Sequence, residues 1–191
     1  STHSLSSPNS STDPSQPIVI PVEPTYKTIQ EVFYQQDSNS QVDILMVIDN
    51  SPSMIEEQQK MGTKISSFLS ELGQIDWQIG ITTTDISGGT FSTNGNLLKL
   101  NGINDRILTN KTPNYNQVFL NTITRPESNC TDTCPSTNEQ PLRAAMMAME
   151  QRDTQNQGFF RPGADLVLVI ISDEDEMSNA PPQATTPQMV I

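Results

Sequence analysis

The sequence predicts an α/β fold in which a mostly parallel β-sheet is flanked by helices. Two nearly unbroken apolar runs, VDILMVI at 42–48 and DLVLVII at 165–171, each end at a polar turn. Runs of this kind are typical of strands that are covered on both faces, as in parallel sheets. An amphipathic helical pattern lies between the two runs, and this alternation of strand and helix indicates an α/β protein.

The other elements are predicted from periodicity and from the placement of glycine. Apolar residues recur at helical spacing over 54–72, which predicts an amphipathic helix with Gly73 as its stop. The segment WQIGITTT at 77–84 is typical of a strand, and four glycines favour a loop or hairpin over 88–102. Further predictions are helices over 114–123 and 139–151 and a proline-rich loop over 177–187.

Residues 1–26 are predicted to form a flexible tether ahead of a folded domain at 27–191. The first sixteen residues contain seven serines and one large apolar residue, Leu5, so they bury too little surface to offset the entropy cost of ordering. The segment PIVIPVEP at 17–24 is apolar but is interrupted by prolines, which suits an edge strand or a polyproline-like connector. No run approaches the 18 apolar residues of a membrane-spanning helix.

The charge and the rare residue types exclude several classes of function. Ten Lys and Arg against 22 Asp and Glu give a formal net charge of −12, which argues against binding to nucleic acid or to anionic lipid. One histidine, His3, argues against a Ser-His-Asp triad and against histidine-based metal sites. Phosphate-binding and nucleophile-elbow motifs are also missing. The sequence therefore favours a protein that is not an enzyme, with a metal-dependent hydrolase as the alternative.

The segment Asp49-Asn50-Ser51-Pro52-Ser53 is the most informative part of the chain. It lies between the strand at 42–48 and the helix at 54–72, and ligands of open α/β sheets gather at the carboxyl ends of strands. Its carboxylate and two hydroxyls are oxygen ligands of the kind that Mg²⁺ accepts. The alternative interpretation is that Asp49 or Ser53 caps the following helix.

Two more loops carry oxygen ligands. Asp173, Glu174, Asp175 and Glu176 follow the strand at 165–171, and four adjacent acids repel one another unless water or a cation screens them. Asp173 comes first and is best placed to meet the D-x-S-x-S turn. The third loop, Ser136–Gln140, precedes the helix at 139–151 and offers Thr137 or Glu139, which could instead be a capping pair.

Together these loops resemble the metal-ion-dependent adhesion site of a von Willebrand factor A (vWA) domain. The segments VDILMVIDNSPSM, IGITTTD, EQPLRAAMMAM and GFFRPGADLVLVIISDEDE are similar to a bacterial branch of secreted or lipid-anchored vWA domains. The resemblance spans about 30–190. The D-x-S-x-S motif alone is short, but three ligand loops in this order make a fairly specific pattern.

The resemblance implies a Rossmann-like sheet and a divalent cation, Mg²⁺ or else Mn²⁺ or Ca²⁺. Its ligands would be Asp49, Ser51 and Ser53, with Asp173 bound directly or through water. The family's threonine falls on Thr137, whereas the bacterial branch keeps a Glu-Gln pair. The ligand from the third loop therefore stays open between Thr137 and Glu139. The implied function is metal-dependent adhesion, in which the cation binds an acidic side chain of a partner protein.

The sequence departs from the family pattern at its end. A complete vWA domain has one or two more strands and a final helix after the fourth core strand, so we expect a domain without its C-terminal strands. Another chain could supply them, which gives a structural subunit of an envelope assembly as the alternative function. A lipid anchor ahead of residue 1 would also be compatible with this branch.

Cys130 and Cys134 form a C-x₃-C loop just ahead of the third ligand loop. The serine-rich and proline-rich tether suggests export, and disulfides persist in oxidising compartments. We therefore expect a local disulfide in a secreted or cell-envelope protein, in the periplasm, at the outer membrane or on the cell surface. Two free thiols in a reducing compartment are the alternative.

Overall fold

In the computed structural model, the described residues are 41–73 and 75–173. They form an α/β fold, as predicted, with a mixed four-stranded sheet and helices on both of its faces. The predicted tether at 1–26, residues 27–40 and the predicted loop at 177–187 lie outside the described residues. None of the helices in the two described ranges is long and apolar enough to cross a membrane.

Within the described residues, the predicted strands and helices form within two residues of their predicted ends. The strands are β1 (Gln41–Ile48), β2 (Asp76–Thr83), β3 (Ile107–Thr109) and β4 (Asp165–Ile171). The helices are α1 (Ile55–Glu71), α2 (Tyr115–Ile123) and α3 (Pro141–Glu150), with 3₁₀ turns at Pro52–Met54 and Pro126–Asn129. The sequence missed β3, since three residues are too few for a periodic pattern. Of the two alternatives predicted for 88–102, the loop is confirmed and the hairpin is not, because the segment contains neither helix nor strand.

The strand order β3-β2-β1-β4 brings three carboxyl ends together. Strand β1 runs parallel to both β2 and β4, while β3 is antiparallel to β2. Ile48, the last residue of β1, is in register with Thr83 of β2 and Ile171 of β4. The loops that leave these three strands therefore start at the same edge of the sheet.

The side chains of β1 form cores on both faces of the sheet. Because alternate side chains of a strand point to opposite faces, one set packs with α1 and α2 and the other with α3. The first set is Ile44, Met46 and Ile48, and the second is Leu45 and Val47. All five are at most 2% exposed.

Strand β4 is less covered than its apolar sequence predicted. Leu166, Val167 and Ile170 are 46, 42 and 39% exposed, whereas we expected a strand buried on both faces. The reason is its position: β4 ends the sheet, and β1 is the one described strand that pairs with it. An apolar groove of about 440 Å³ lies between β4 and α1, lined in part by Phe68 and Val169.

A buried acid lies near the amino end of β1. Asp43 is 2% exposed, and Arg161 neutralises it with a hydrogen bond of 2.7 Å from Nε to Oδ1 and one of 2.6 Å from its backbone N–H to Oδ2. Nη1 of Arg161 also lies 3.1 Å from Oδ1 of Asp76, the first residue of β2. This end of the sheet is thus held by one cation and two carboxylates.

Candidate metal site

The D-x-S-x-S turn leaves β1 at the edge where β4 also ends. The backbone N–H of Asp49 donates to the carbonyl of Ile171, at 2.9 Å, so the two strands remain paired up to the turn. Ser172 and Asp173 follow Ile171 directly. The first and last parts of the predicted site therefore meet because neighbouring parallel strands end in register.

Three predicted ligands form a row of oxygen atoms. Oγ of Ser51 lies 2.8 Å from Oγ of Ser53, which donates in turn to Oδ1 of Asp173 at 3.2 Å. Asp173 is 120 residues away from Ser53 along the chain. In an octahedral Mg²⁺ site with Mg–O distances near 2.0–2.1 Å, adjacent ligand oxygens are about 2.9 Å apart. The spacing of this row fits adjacent positions in such a site.

Asp49, the first residue of the D-x-S-x-S turn, is fully buried. Its Oδ1 accepts a hydrogen bond of 2.8 Å from the backbone N–H of Ser51, and its Oδ2 accepts one of 2.9 Å from Oγ of Ser172. Each carboxylate oxygen keeps further acceptor capacity for a cation or a bound water. No Lys or Arg of the described residues forms an ion pair with Asp49 or Asp173.

The capping alternative receives limited support. Neither α1 nor α3 has a side-chain hydrogen bond at its N-cap. The bond from Ser51 N–H to Asp49 is a local turn contact of the kind that aspartate makes two residues on. It occupies one lone pair of Asp49 and leaves the hydroxyls of Ser51 and Ser53 for each other and for Asp173.

The third predicted loop reaches the same edge of the sheet through backbone hydrogen bonds. The N–H of Gln140 donates to the carbonyl of Thr84, and the N–H of Thr84 donates to the carbonyl of Ile48. Glu139 is 2% exposed, whereas Thr137 is exposed to solvent. The two predicted candidates of this loop therefore differ sharply in burial.

Two residues of this edge were not predicted. One is Ser172, whose hydroxyl donates to Asp49. The other is Asp85, which is 2% exposed and accepts hydrogen bonds from the backbone N–H groups of Ser87 and Ser136 at 2.9 and 3.0 Å. Asp85 therefore ties the loop after β2 to the third ligand loop. Its position just beyond a strand is the same signal that singled out Asp49 and Asp173.

The donor set is one of mixed carboxylates and hydroxyls. Within residues 41–73 and 75–173, no group of three or more His, Cys, Asp and Glu side chains is arranged to hold a metal ion. Two carboxylates and two serines are nevertheless hard oxygen donors suited to Mg²⁺. Cys130 and Cys134, beside the third loop, are joined in a disulfide with a Cα–Cα distance of 5.3 Å.

Comparison of the chain with protein-family models, with curated proteins and with solved structures gives no match. A candidate metal site is therefore supported by the D-x-S-x-S motif and by the distances among the oxygens of Ser51, Ser53 and Asp173.

Proposed function

We propose that this chain is a vWA-like module that binds a partner protein through a divalent cation. The observation that carries the proposal is the meeting of Ser51, Ser53 and Asp173 at the turn that also contains Asp49, a buried carboxylate with no cation paired to it among the described residues. Burying a carboxylate is costly unless its charge is compensated. A divalent cation would compensate it.

The proposed ligands also explain why an acidic partner would bind. Asp49 and Asp173 balance the charge of one divalent ion, and the serine hydroxyls add ligands without adding charge. A bound Mg²⁺ would supply a Lewis-acidic position for one carboxylate oxygen of the partner. Since this chain has a net charge of −12, the surface around that carboxylate is expected to be neutral or basic.

A pair of variants can decide which residue of the third loop is the metal ligand. Burial favours Glu139, but a third carboxylate would leave a negative site that repels an acidic partner, and this favours Thr137. Glu139→Gln and Thr137→Val each remove one candidate with little change of volume. The variant that weakens Mg²⁺ binding, measured by calorimetry, identifies the ligand, and a loss of about tenfold is expected.

The test of the site itself is Mg²⁺-dependent stability. At one hundred times its dissociation constant, Mg²⁺ is expected to stabilise the protein by about 2.7 kcal/mol. For a chain of this size that is a rise in melting temperature of about 5 to 10 °C. Asp173→Asn should remove the rise, whereas Asp165→Asn, the same change at the other end of β4, should keep it. A wild-type protein that melts at the same temperature with Mg²⁺ and with EDTA would refute the proposal.

The proposed location is the cell envelope or the extracellular space, since the disulfide between Cys130 and Cys134 suits an oxidising compartment. Labelling the thiols of freshly lysed cells tests this. An unlabelled cysteine pair supports export, and two labelled thiols contradict it.

Strand β4 favours a second role, as a subunit of an envelope assembly in which a neighbouring chain supplies further strands. The three exposed apolar side chains of β4 and its unpaired edge among the described residues support this role. A complex that persists in EDTA but is lost in Val167→Lys, and not in Asp153→Lys, would support it. A complex that EDTA dissociates belongs to the metal-dependent role instead.

A further inference from the structure

Two buried polar side chains form hydrogen bonds with backbone carbonyls of the D-x-S-x-S turn. Oγ of Ser128 donates to the carbonyl of Asn50 at 2.8 Å. Nε2 of Gln58, on α1, lies 3.0 Å from Oγ of Ser128 and 3.4 Å from the carbonyl of Asp49. Gln58 is 3% exposed and Ser128 1% exposed, so water does not compete for these bonds.

The same two side chains connect the turn to the segment that starts at Arg125. Oε1 of Gln58 accepts a hydrogen bond of 3.1 Å from the backbone N–H of Arg125. Nε of Arg125 forms an ion pair with Oε1 of Glu127 at 2.7 Å. The same oxygen accepts a hydrogen bond of 3.5 Å from Nδ2 of Asn50. Both partners of the ion pair are mostly buried, with side-chain exposures of 18 and 6%.

From Ser128 the chain runs through the disulfide to the third ligand loop. Cys130 and Cys134 close this short stretch, and Ser136, two residues further on, is anchored to Asp85 through its backbone N–H. The segment therefore has one hydrogen-bond anchor at the D-x-S-x-S turn, a second anchor at the third loop, and a covalent bond between them.

We infer that residues 125–136 form a clamp that sets the separation of the two ligand loops, with Gln58 and Ser128 as positioning residues and the disulfide as its covalent part. This inference rests on the proposed metal site. Its consequence is that cation affinity depends on the disulfide, because reduction frees the stretch between the two anchors. Side chains that orient metal ligands typically change metal affinity 10-fold to 100-fold when they are removed.

Thermodynamic linkage gives a reciprocal expectation. If the oxidised protein binds Mg²⁺ more tightly than the reduced one, Mg²⁺ must favour the oxidised form by the same factor. Dithiothreitol reduces the disulfide to two thiols and itself closes to a cyclic disulfide. Saturating Mg²⁺ should therefore shift this equilibrium towards the protein disulfide by the ratio of the two dissociation constants.

The experiment titrates Mg²⁺ into oxidised wild type, reduced wild type, Gln58→Met and the control Gln117→Met, an exposed glutamine on α2. Reduced wild type and Gln58→Met should bind Mg²⁺ at least about tenfold more weakly, and Gln117→Met should bind it normally. Melting in EDTA separates the roles, since a purely structural role lowers that melting temperature but leaves the Mg²⁺ affinity unchanged.

The outcomes distinguish the clamp from the site. If wild type binds Mg²⁺ and both the reduced protein and Gln58→Met bind it equally well, the clamp is wrong and the site stands. If oxidised wild type does not bind Mg²⁺, the proposed function fails and the clamp with it. Should Gln58→Met not fold, the oxidised and reduced wild type and the dithiothreitol equilibrium decide alone.

Discussion

A carboxylate is buried near each end of β1, Asp43 near the amino end and Asp49 just after the carboxyl end. Among the described residues, only Asp43 is paired with a cationic side chain. At the amino end, Asp43 is bound by Arg161 through two hydrogen bonds. At the carboxyl end, Asp49 is bound by a backbone N–H and by the hydroxyl of Ser172, both of which are neutral. The two acids are six residues apart on the same stretch of chain and equally buried.

A structural acid and a candidate ligand can be distinguished by whether the protein neutralises the charge. A structural acid has its charge matched by the protein, so its site is complete. A ligand must keep its charge unmatched until the cation arrives, and it is oriented only by neutral donors. By this criterion Asp43 stabilises the fold, and Asp49 has the environment of a ligand. Three predictions test the comparison.

The largest loss of unfolding free energy is expected at the amino end of β1. Arg161→Met leaves Asp43 as an unpaired buried charge, which typically costs about 3 to 5 kcal/mol of unfolding free energy. Urea denaturation measures this loss. Arg152→Met is the control, because Arg152 pairs with Asp153 at the exposed surface, where an ion pair contributes at most about 1 kcal/mol. Equal losses in the two variants would show that Asp43 does not depend on its cation.

The second prediction compares one substitution at both ends in the presence of EDTA. Asp43→Asn should lower the unfolding free energy by about 1.5 to 3 kcal/mol, because it removes hydrogen bonds between charged groups. Asp49→Asn should instead raise it by about 1 kcal/mol, since it removes a buried charge that no Lys or Arg of the described residues neutralises. The asparagine amide can still accept from the N–H of Ser51 and donate to Oγ of Ser172. Urea denaturation of both variants measures these two opposite changes in unfolding free energy.

Adding Mg²⁺ sharpens this second comparison. Wild type and Asp43→Asn should both be stabilised by the cation, and Asp49→Asn should not. If the two asparagine variants lose stability equally in EDTA, the two ends of the sheet have the same electrostatic character, and Asp43 and Asp49 do not differ as structural acid and ligand.

The sequence predicted the carboxyl end better than the amino end, for a physical reason. Asp49, Ser51 and Ser53 follow one apolar run and Asp173 follows another, and ligands gather at the carboxyl ends of parallel strands, so the sequence predicted that these two loops meet. Asp43 was visible as an acid inside an apolar run. Its partner Arg161 is 118 residues away in a loop, and no local pattern indicates that contact.

The contacts beneath the site were missed for the same reason. Gln58 lies on a helix whose apolar pattern explains the fold without it, and Ser128 lies in a 3₁₀ turn too short to predict. The low burial of β4 was also missed, because a run such as DLVLVII indicates a strand but not how many neighbours that strand has. Local spacing predicts elements and their shared edges, and side-chain pairing across the chain requires the structure.

The smallest effect concerns Asp76, the exposed acid at the amino end. A hydrogen bond of 2.8 Å from Gln41, and then Arg161, lower the pKa of Asp76 below its ordinary value of 3.8. A folded-state pKa below the unfolded one adds stability that is fully present above about pH 4 and is lost as the pH falls through the folded pKa. Wild type should therefore exceed Asp76→Asn in unfolding free energy at pH 6, and the difference should shrink below pH 4. Gln41→Ala should reduce this pH dependence, because the amide of Gln41 is the largest single cause of the lowered pKa. A difference between wild type and Asp76→Asn that is the same at pH 6 and pH 3 would contradict the lowered pKa of Asp76.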